Sequence, residues 1–296
     1  MEMCQIRYFL AVARHRSFTR AAEHEHVAQP SLSQQIRKLE DELGGRLFDR
    51  LGRKIALTPL GAKVFEHARR VMEEVEGARH EVAELLGLRS GNVSVGAIPT
   101  VAPYLLPRVL PAFRRACPSI KVSVREDLTG ALVEQLTQGD LDLALLSLPV
   151  ARGAFVCESL VREPMILAVP ARHRLARRGR RRPGLGEIGQ EALLLLKDGH
   201  CFRDDVLGIC KRARVDPQVA FEAGQLDTLV AMVSAGAGVT LLPRMALPHF
   251  RRAGVKLIEL ADPQPVRTIG IVRARDKFLT AAARAFIRVL KENCAA

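Results

Sequence analysis

The spacing of apolar residues changes at Asn92, and this change constrains the fold more than any other feature of the chain. Before that residue, apolar side chains recur every three or four positions, which is typical of amphipathic helices. After it, short apolar strands alternate with helical patterns, which is typical of an α/β fold with a largely parallel sheet. With 296 residues, the chain is long enough for the two parts to form separate domains.

The N-terminal part contains three predicted helices. The first buries a face that includes Ile6 and Phe9, and the second follows a capping residue, Ser17. The third opens at Gln29, because Pro30 is favourable in a first helical turn. Its polar face presents Ser33, Gln34, Arg37 and Lys38. Arg and Gln can read base edges and Ser and Lys can hold phosphates, so the pattern indicates a helix-turn-helix. An ordinary amphipathic helix with a solvated face is the alternative.

A long helix is predicted next, capped by Thr58 and Pro59. Its apolar residues repeat with spacings of four and three, which is a heptad pattern. They are Leu60, Val64, Ala68, Val71, Val75, Ala78, Val82 and Leu85. A helix of this length reaches about 42 Å. The sequence therefore predicts a dimerisation linker over residues 58–88, which would set the geometry of two DNA half-sites.

The C-terminal part, residues 91–296, is predicted to form two α/β lobes with a cleft between them. The first series of strands is Val93–Ile98, Ile120–Val124 and Leu141–Leu146. The second series is Met165–Val169, Leu193–Leu196, Val219–Phe221 and Val239–Leu242. The chain then returns through Arg267–Val272 and ends in a helix, Leu279–Leu290. These segments place lobe one at residues 91–162 and 267–296, and lobe two at residues 163–266.

The segment from Lys197 to Cys210 concentrates reactive side chains. Cys201 lies beside His200, near Arg203, and at the predicted start of a helix. Nearby cations and a helix N-terminus lower the pKa of a thiol, and the thiolate is its reactive form. This pattern predicts a reactive Cys201. The alternative is a buried cysteine that packs as a small hydrophobic residue.

Charge and composition limit the classes of partner. The net charge of +13 and the isoelectric point near 10.1 indicate an acidic partner such as nucleic acid. Residues 1–63, however, hold 11 basic and 7 acidic side chains, a net of only +4. The densest basic run, Arg172 to Arg182, carries seven arginines. We interpret this run as a solvated loop, with an auxiliary phosphate contact as the alternative.

The cysteines and the apolar runs indicate the compartment. No apolar run is long enough to span a membrane and no signal peptide is evident, so a cytoplasmic location with no membrane partner is expected. The six cysteines should be mostly reduced there, and a disulfide would be a redox event. His200, Cys201 and Cys210 supply at most three metal ligands, so neither a metal nor another cofactor is expected.

Residues 5–63 resemble the winged helix-turn-helix of LysR-type transcriptional regulators. The matching motifs are F-x-x-x-A at Phe9–Ala13, S-F-T-R-A-A at Ser17–Ala22, Q-P-S-L-S at Gln29–Ser33, I-R-K-L-E at Ile36–Glu40, L-F-D-R-x-x-R at Leu47–Arg53 and L-T-P-x-G at Leu57–Gly61. The resemblance implies a DNA-binding domain over residues 1–63. The residues that it places on double-stranded DNA are Gln29, Pro30, Ser31, Ser33, Gln34, Arg37, Arg50 and Arg53. Glu25 and Ala28 depart from the family pattern and should weaken the local fold, the missing cap at Ala28 by about 1 kcal/mol.

The C-terminal part resembles the effector domain of the same family, which is similar to periplasmic binding proteins. Within the family, four motifs are similar to regulators that sense hydrogen peroxide: Ile98–Pro107, Asp198–Asp204, Gly208–Cys210 and Arg267–Gly270. The resemblance implies that Cys201 is the peroxide-reactive thiol and Cys210 its resolving partner. It also implies a peroxide pocket made by Thr100, Thr129, His200, Arg203, Asp204 and Arg267. The implied partners are DNA, hydrogen peroxide, a second copy paired through the linker helix, a tetramer of such copies and RNA polymerase as a candidate.

Two other functions remain open on the residues alone. The chain could be a LysR-type regulator that responds to a small organic effector bound between the two lobes, with both cysteines as bystanders. It could instead be a thiol peroxidase. The helix-turn-helix and the heptad pattern argue against the enzyme, because catalysis of peroxide reduction requires neither. A regulator that is not an enzyme is therefore expected.

Overall fold

The computed structural model describes residues 1–51, 54–85, 91–150, 154–177, 182–251 and 253–294. They form two compact units. Unit 1 comprises Met1–Leu88 with Asp276–Thr280, and unit 2 comprises Arg89–Arg275 with Ala281–Ala296. In the described part of the chain, no helix is both long enough and apolar enough to cross a membrane.

Unit 1 contains the predicted helices and a small two-stranded sheet. Its elements are α1 (Met3–His15), α2 (Phe18–His24), α3 (Gln29–Leu43), β1 (Phe48–Leu51), β2 (Lys54–Leu57) and α4 (Pro59–Leu85). The β1 and β2 strands pair antiparallel as a wing. Phe9, Leu32, Ile36 and Leu39 are fully buried in the core between the helices. The Ser17 hydroxyl accepts the Arg20 N–H at 3.3 Å, which confirms the predicted cap of α2.

The start of α4 is anchored at Thr58. Its hydroxyl accepts the Gly61 N–H at 2.9 Å and donates to the Arg46 carbonyl at 2.7 Å. Gly61 has to be glycine, since a Cβ there would lie 2.0 Å from the Leu47 carbonyl oxygen. The helix has 27 residues, Pro59–Leu85, within the span of 58–88 predicted for the linker.

Some of the heptad residues of α4 pack against the other helices of unit 1. Ala68 is buried in the core of the three N-terminal helices, and Val64 packs against that core. Val71 and Val82 remain 39% and 55% exposed. Leu60, before Ala68, is also 40% exposed, so the part of the heptad face that packs within unit 1 is the part around Val64 and Ala68.

Unit 2 is an α/β structure. Its helices are α5 (Ala102–Ala116), α6 (Thr129–Thr137), α7 (Leu185–Ile188), α8 (Cys201–Arg212), α9 (Leu226–Ser234), α10 (Leu247–Phe250) and α11 (Ala281–Cys294), with 3-10 turns at Arg174–Arg177 and Arg244–Ala246. Its strands are β3 (Gly91–Ala97), β4 (Ile120–Glu126), β5 (Leu143–Leu148), β6 (Phe155–Pro170), β7 (Ala192–Leu196), β8 (Gln218–Ala223), β9 (Thr240–Pro243), β10 (Val255–Glu259) and β11 (Val266–Ala274).

The prediction of a largely parallel sheet is wrong for the strands that join the two lobes. β3 pairs parallel with β4 and β5, and β7 pairs parallel with β8. The long strands β6 and β11 run antiparallel to each other, and β9 and β10 pair antiparallel with β6. The chain enters the second lobe along β6 and leaves it along β11, so the two crossing strands have opposite directions.

One strand is much longer than the sequence predicts, and another was not predicted at all. β6 begins at Phe155, ten residues before the predicted start at Met165. β10 was not predicted. Both segments carry charged residues, such as Glu158 and Lys256, which interrupt the apolar pattern on which the prediction relied.

Candidate functional site

Cys201 is the first residue of α8. The preceding residue, His200, is the N-cap and has extended backbone angles. Gly199 has a φ of +92°, a left-handed conformation that glycine adopts without strain. This turn brings the chain from the buried end of β7 directly into the helix, so the Cys201 thiol lies at the helix N-terminus as predicted.

The predicted partner thiol lies on the same helix. Cys210 is 2% exposed and packs in the core of the second lobe. Both cysteines are free thiols. Nine helical steps separate their Cα atoms by about 13.5 Å, whereas a disulfide requires about 4.4–6.8 Å. The two thiols cannot be joined while α8 is intact.

The pKa of Cys201 is raised, contrary to the lowering expected from the sequence. Burial is the largest cause, and the Asp205 carboxylate acts in the same direction. The Thr129 hydroxyl, the Arg267 guanidinium and the Ser147 backbone N–H favour the thiolate but do not outweigh burial. Burial likewise raises the pKa of Cys210. At neutral pH both sulfurs are therefore held mainly as thiols.

The two predicted cationic neighbours do not act on Cys201 as expected. Burial and the nearby Lys197 lower the pKa of His200, so its ring is neutral at neutral pH. Arg203 is turned away from the thiol. Its guanidinium contacts Asp198 at 2.8 Å and Glu222 at 2.6 Å, and it also donates to the Leu196 carbonyl at 3.2 Å. Arg203 thus ties the first turn of α8 to the adjoining loop and to β8.

Arg267 provides the positive charge near Cys201. Its Nε donates to Glu163 at 2.7 Å, Nη1 donates to the Thr100 hydroxyl at 2.8 Å, and Nη2 donates to the Thr100 carbonyl at 3.0 Å. Glu163 also accepts the Met245 N–H at 2.7 Å. All of the Arg267 side chain is buried, so its pairing with Glu163 offsets a large desolvation cost. Among the described residues, these contacts use three of the five guanidinium N–H groups.

A cavity of about 610 Å³ opens onto the sulfur. It is lined by Thr129, Ser147, Leu148, Pro149, Val150, Gly199, Cys201, Asp204, Asp205, Arg212, Val266, Arg267 and Thr268. A second, tight pocket has essentially no free volume, and it is lined by Ile98, Pro99, Thr100, Leu128, Thr129, His200, Cys201 and Phe202. Five of the six residues predicted for a peroxide pocket therefore converge on Cys201; Arg203 lines neither space.

The Thr129 hydroxyl is directed into this region. Its oxygen is buried and has no hydrogen-bond partner among the described residues, although it lies close enough to lower the pKa of Cys201. A buried hydroxyl without a partner is costly, which makes this oxygen available to a small polar ligand.

Sequence reasoning missed Glu163, Ser147 and Asp205. Each is polar within or beside an apolar segment, and such a residue is a usable signal of a buried site. Asp205 also follows Cys201 by four positions, which places both on one face of α8.

The predicted DNA-facing residues lie on one side of α3. Gln29, Pro30, Ser31, Gln34 and Arg37 are exposed, and Ser33 is half-buried. Nothing is described for the Arg50 side chain, and Arg53 lies outside the described residues. Ala28 caps α3 without a side-chain hydrogen bond, as its residue type requires. Glu25 is compensated by an ion pair with Arg7 at 2.7 Å, so its burial is less costly than the sequence implied.

Family models match nearly the whole chain. The model described as a bacterial regulatory helix-turn-helix protein of the lysR family matches residues 3–62. The model of the LysR substrate binding domain matches residues 86–295. The chain belongs to the LysR family. LysR proteins of this kind are DNA-binding transcriptional regulators rather than enzymes.

Several similar LysR proteins have names that refer to hydrogen peroxide. The chain is 42% identical to a hydrogen peroxide-inducible genes activator of Dickeya chrysanthemi, over 92% of this chain and 89% of that protein. It is 40% identical to the DNA-binding transcriptional dual regulator OxyR of Escherichia coli K12, over 99% of each.

Solved structures show the same fold. A full-length OxyR variant from Pseudomonas aeruginosa matches with a TM-score of 0.81 and 32% identity, over 99% of this chain and 94% of that one. A Corynebacterium glutamicum OxyR mutant with bound hydrogen peroxide matches with a TM-score of 0.66 and 31% identity, over 99% and 94%. These matches confirm the prediction from the sequence that the chain is a LysR-type regulator, and they show that it resembles OxyR.

Proposed function

We propose that the chain is a transcriptional regulator that senses hydrogen peroxide through oxidation of Cys201. The observation that carries the proposal is the convergence of Thr100, Thr129 and Arg267 on a thiol at the N-terminus of α8. The similarity to OxyR proteins supports the choice of peroxide as the oxidant.

The donors around Cys201 suit the chemistry of peroxide reduction. The Cys201 thiolate attacks one peroxide oxygen, an S–O bond forms, the O–O bond breaks and the other oxygen leaves as hydroxide. The Arg267 N–H groups and the Thr129 hydroxyl that have no hydrogen-bond partner among the described residues can donate to this developing negative charge. Thr100 accepts from Arg267, so its own hydroxyl proton is also available. Hydroxide then takes a proton to become water, and Cys201 is left as a sulfenic acid.

The second step joins the two cysteines. The Cys210 thiolate attacks the sulfenic sulfur, an S–S bond forms and the S–O bond breaks to release hydroxide, which becomes water with the proton that the Cys210 thiol gave up. Because an intact α8 separates the sulfurs too far, part of the helix has to unwind. The disulfide would thus be coupled to a change in backbone structure, and reduction by cytosolic thiols would reverse it.

Peroxide treatment followed by mass spectrometry tests the proposal. One equivalent of hydrogen peroxide, added to the reduced protein, should produce a peptide pair linked through Cys201 and Cys210. Cys117 and Cys157 provide an internal comparison and should remain reduced. Random oxidation among the cysteines would contradict the proposal.

The DNA-binding part of the proposal assigns base reading to α3. Arg37 is exposed, and arginine can bind a guanine edge with two hydrogen bonds. Arg37→Ala should weaken binding to the operator by about 1–3 kcal/mol, while binding to unrelated DNA changes little. Gel-shift titrations with both DNAs measure the difference.

Lys38→Ala is the matched control. Lys38 is also exposed, and a phosphate contact by lysine should weaken operator and unrelated DNA binding alike. Equal losses in both Arg37→Ala titrations would refute base reading by Arg37.

The exposed Val71 and Val82 support pairing of two copies through α4. We also propose that such dimers assemble into a tetramer and that the protein acts in the cytoplasm.

A small organic effector remains the second candidate. The cavity of about 610 Å³ is larger than peroxide needs, and its lining residues include Arg212 and Thr268. The mass-spectrometric test separates the two functions, because an effector-responsive regulator would not require the disulfide.

A further inference from the structure

Asp205 lies one helical turn after Cys201. In a helix, residues four positions apart have Cβ atoms about 5–6 Å apart on one face. Asp205 and Cys201 both line the cavity of about 610 Å³. No hydrogen bond joins the carboxylate to the sulfur among the described contacts. The interaction between them is therefore one of charge.

Ser147, on β5, interacts with both Asp205 and Cys201. Its hydroxyl donates to Asp205 Oδ2 at 2.8 Å, while its backbone N–H lies close enough to the Cys201 sulfur to lower the pKa of that thiol. Ser147 is 4% exposed, so this contact is held inside the protein. The carboxylate thus fixes a residue that contacts the sulfur.

Charged groups from two elements face Asp205. Burial raises the pKa of its carboxyl, and Asp204 on the same helix acts in the same direction. The Ser147 hydrogen bond, Arg267 on β11 and Arg212 on α8 oppose this shift. Burial outweighs these three groups, so the pKa of Asp205 lies above its ordinary value, although the arginines and the Ser147 hydroxyl favour the charged form.

We propose that the Asp205 carboxylate is a positioning residue that restrains the reactivity of Cys201, by placing a negative charge beside the sulfur while it holds Ser147 in place. This inference rests on the proposed function of Cys201 as the peroxide-reactive thiol. Peroxide reacts with the thiolate, and a neighbouring negative charge disfavours loss of the thiol proton. The carboxylate itself transfers no proton and forms no bond in the reaction.

The restraint predicts a pH-dependent difference between variants. Because the pKa of Cys201 is raised, its reactivity should increase as the pH rises through that pKa. In Asp205→Asn the increase should occur at lower pH, since the negative charge is gone while the amide oxygen can still accept from Ser147. Removing the Asp205 charge, one helical turn from Cys201, should raise the thiolate fraction of Cys201, and so its reaction rate at pH 7, by about tenfold.

Alkylation by iodoacetamide, followed by peptide mass spectrometry, measures the reactivity of the Cys201 thiol separately from that of the other cysteines. The rate should be recorded from pH 6 to pH 10 for the full-length parent and for Asp205→Asn, and hydrogen peroxide oxidation should be measured in parallel. Asp205→Glu retains the charge and should restore slow alkylation. Asp216→Asn, an exposed carboxylate beyond the end of α8, removes the same charge outside the cavity and should match the parent.

The outcomes separate this inference from the proposed function. Faster alkylation at pH 7 in Asp205→Asn, with slow alkylation in Asp205→Glu, supports the restraint. An unchanged or slower rate in folded Asp205→Asn overturns it, even where peroxide still oxidises Cys201 in the parent. If Asp205→Asn does not fold, Asp205→Glu decides, because alkylation much faster than in the parent despite the retained charge would overturn the inference. Parental Cys201 that reacts with peroxide no faster than Cys157 would instead refute the proposed function.

Discussion

Cys201→Ser should abolish the response to hydrogen peroxide completely. Serine nearly preserves the size of the side chain at the start of α8, but its hydroxyl, unlike a thiolate, does not attack peroxide at neutral pH. The surrounding donors Thr100, Thr129 and Arg267 would remain, so a loss of response would locate the reaction at the sulfur itself. Stopped-flow oxidation of the parent and the variant, and operator binding before and after peroxide, are the measurements.

The control variants are Cys117→Ser and Cys157→Ser. Cys157 is exposed on β6, and Cys117 lies at the end of α5, so neither is part of the cavity. Both variants should respond to peroxide as the parent does. A parental oxidation rate equal to that of free cysteine, or a full response in Cys201→Ser, would be incompatible with the proposed sensor.

Disulfide formation should expose the backbone amides of α8 to solvent. The helix places Cys201 and Cys210 about 13.5 Å apart at their Cα atoms, and side-chain rotation cannot close the gap to a disulfide. Two glycines make the segment easier to unwind. Gly199 already adopts a left-handed conformation before the helix, and Gly208 lowers helix propensity by about 1 kcal/mol relative to alanine.

The cost of unwinding requires a new packing for the apolar side chains. Phe202, Val206 and Ile209 are at most 2% exposed, and exposing such a side chain costs about 1.5–3 kcal/mol. Closing a loop of ten residues in the unwound segment adds an entropic cost of about 2.7 kcal/mol by the chain-entropy estimate. Both costs oppose unwinding, so we expect at least part of this apolar surface to be buried again, at a subunit interface. The Arg203 contacts with Asp198 and Glu222 would also break.

Hydrogen–deuterium exchange measures the effect directly. Peptides from α8 should be protected in the reduced protein and lose most of that protection after peroxide, while those from α11 should not change. Cys210→Ser is the matched control, because it can form the sulfenic acid but not the disulfide, and its α8 should stay protected. Retained protection of α8 in protein whose Cys201–Cys210 link is verified by mass spectrometry would refute the unwinding.

The sequence alone predicted the parts of the fold that depend on local patterns. The three N-terminal helices, the cap at Ser17, the long helix after Thr58 and the start of a helix at Cys201 all follow from apolar spacing and from residues that terminate helices. Such signals act over a few residues. The exposed face of α3 could be predicted for the same reason, because one helical stripe is apolar and the opposite one is polar.

Only the tertiary structure decided the chemistry around the thiol. The Arg267 contacts with Glu163 and Thr100 join residues 104 and 167 positions apart in the chain, a distance over which local patterns carry no information. The direction of the Cys201 pKa shift was also beyond the sequence. The neighbouring residues suggested a lowered pKa, but Arg203 turns away and His200 is neutral. The pKa is raised because burial removes water from the sulfur, and the extent of burial depends on how segments distant in the chain pack together.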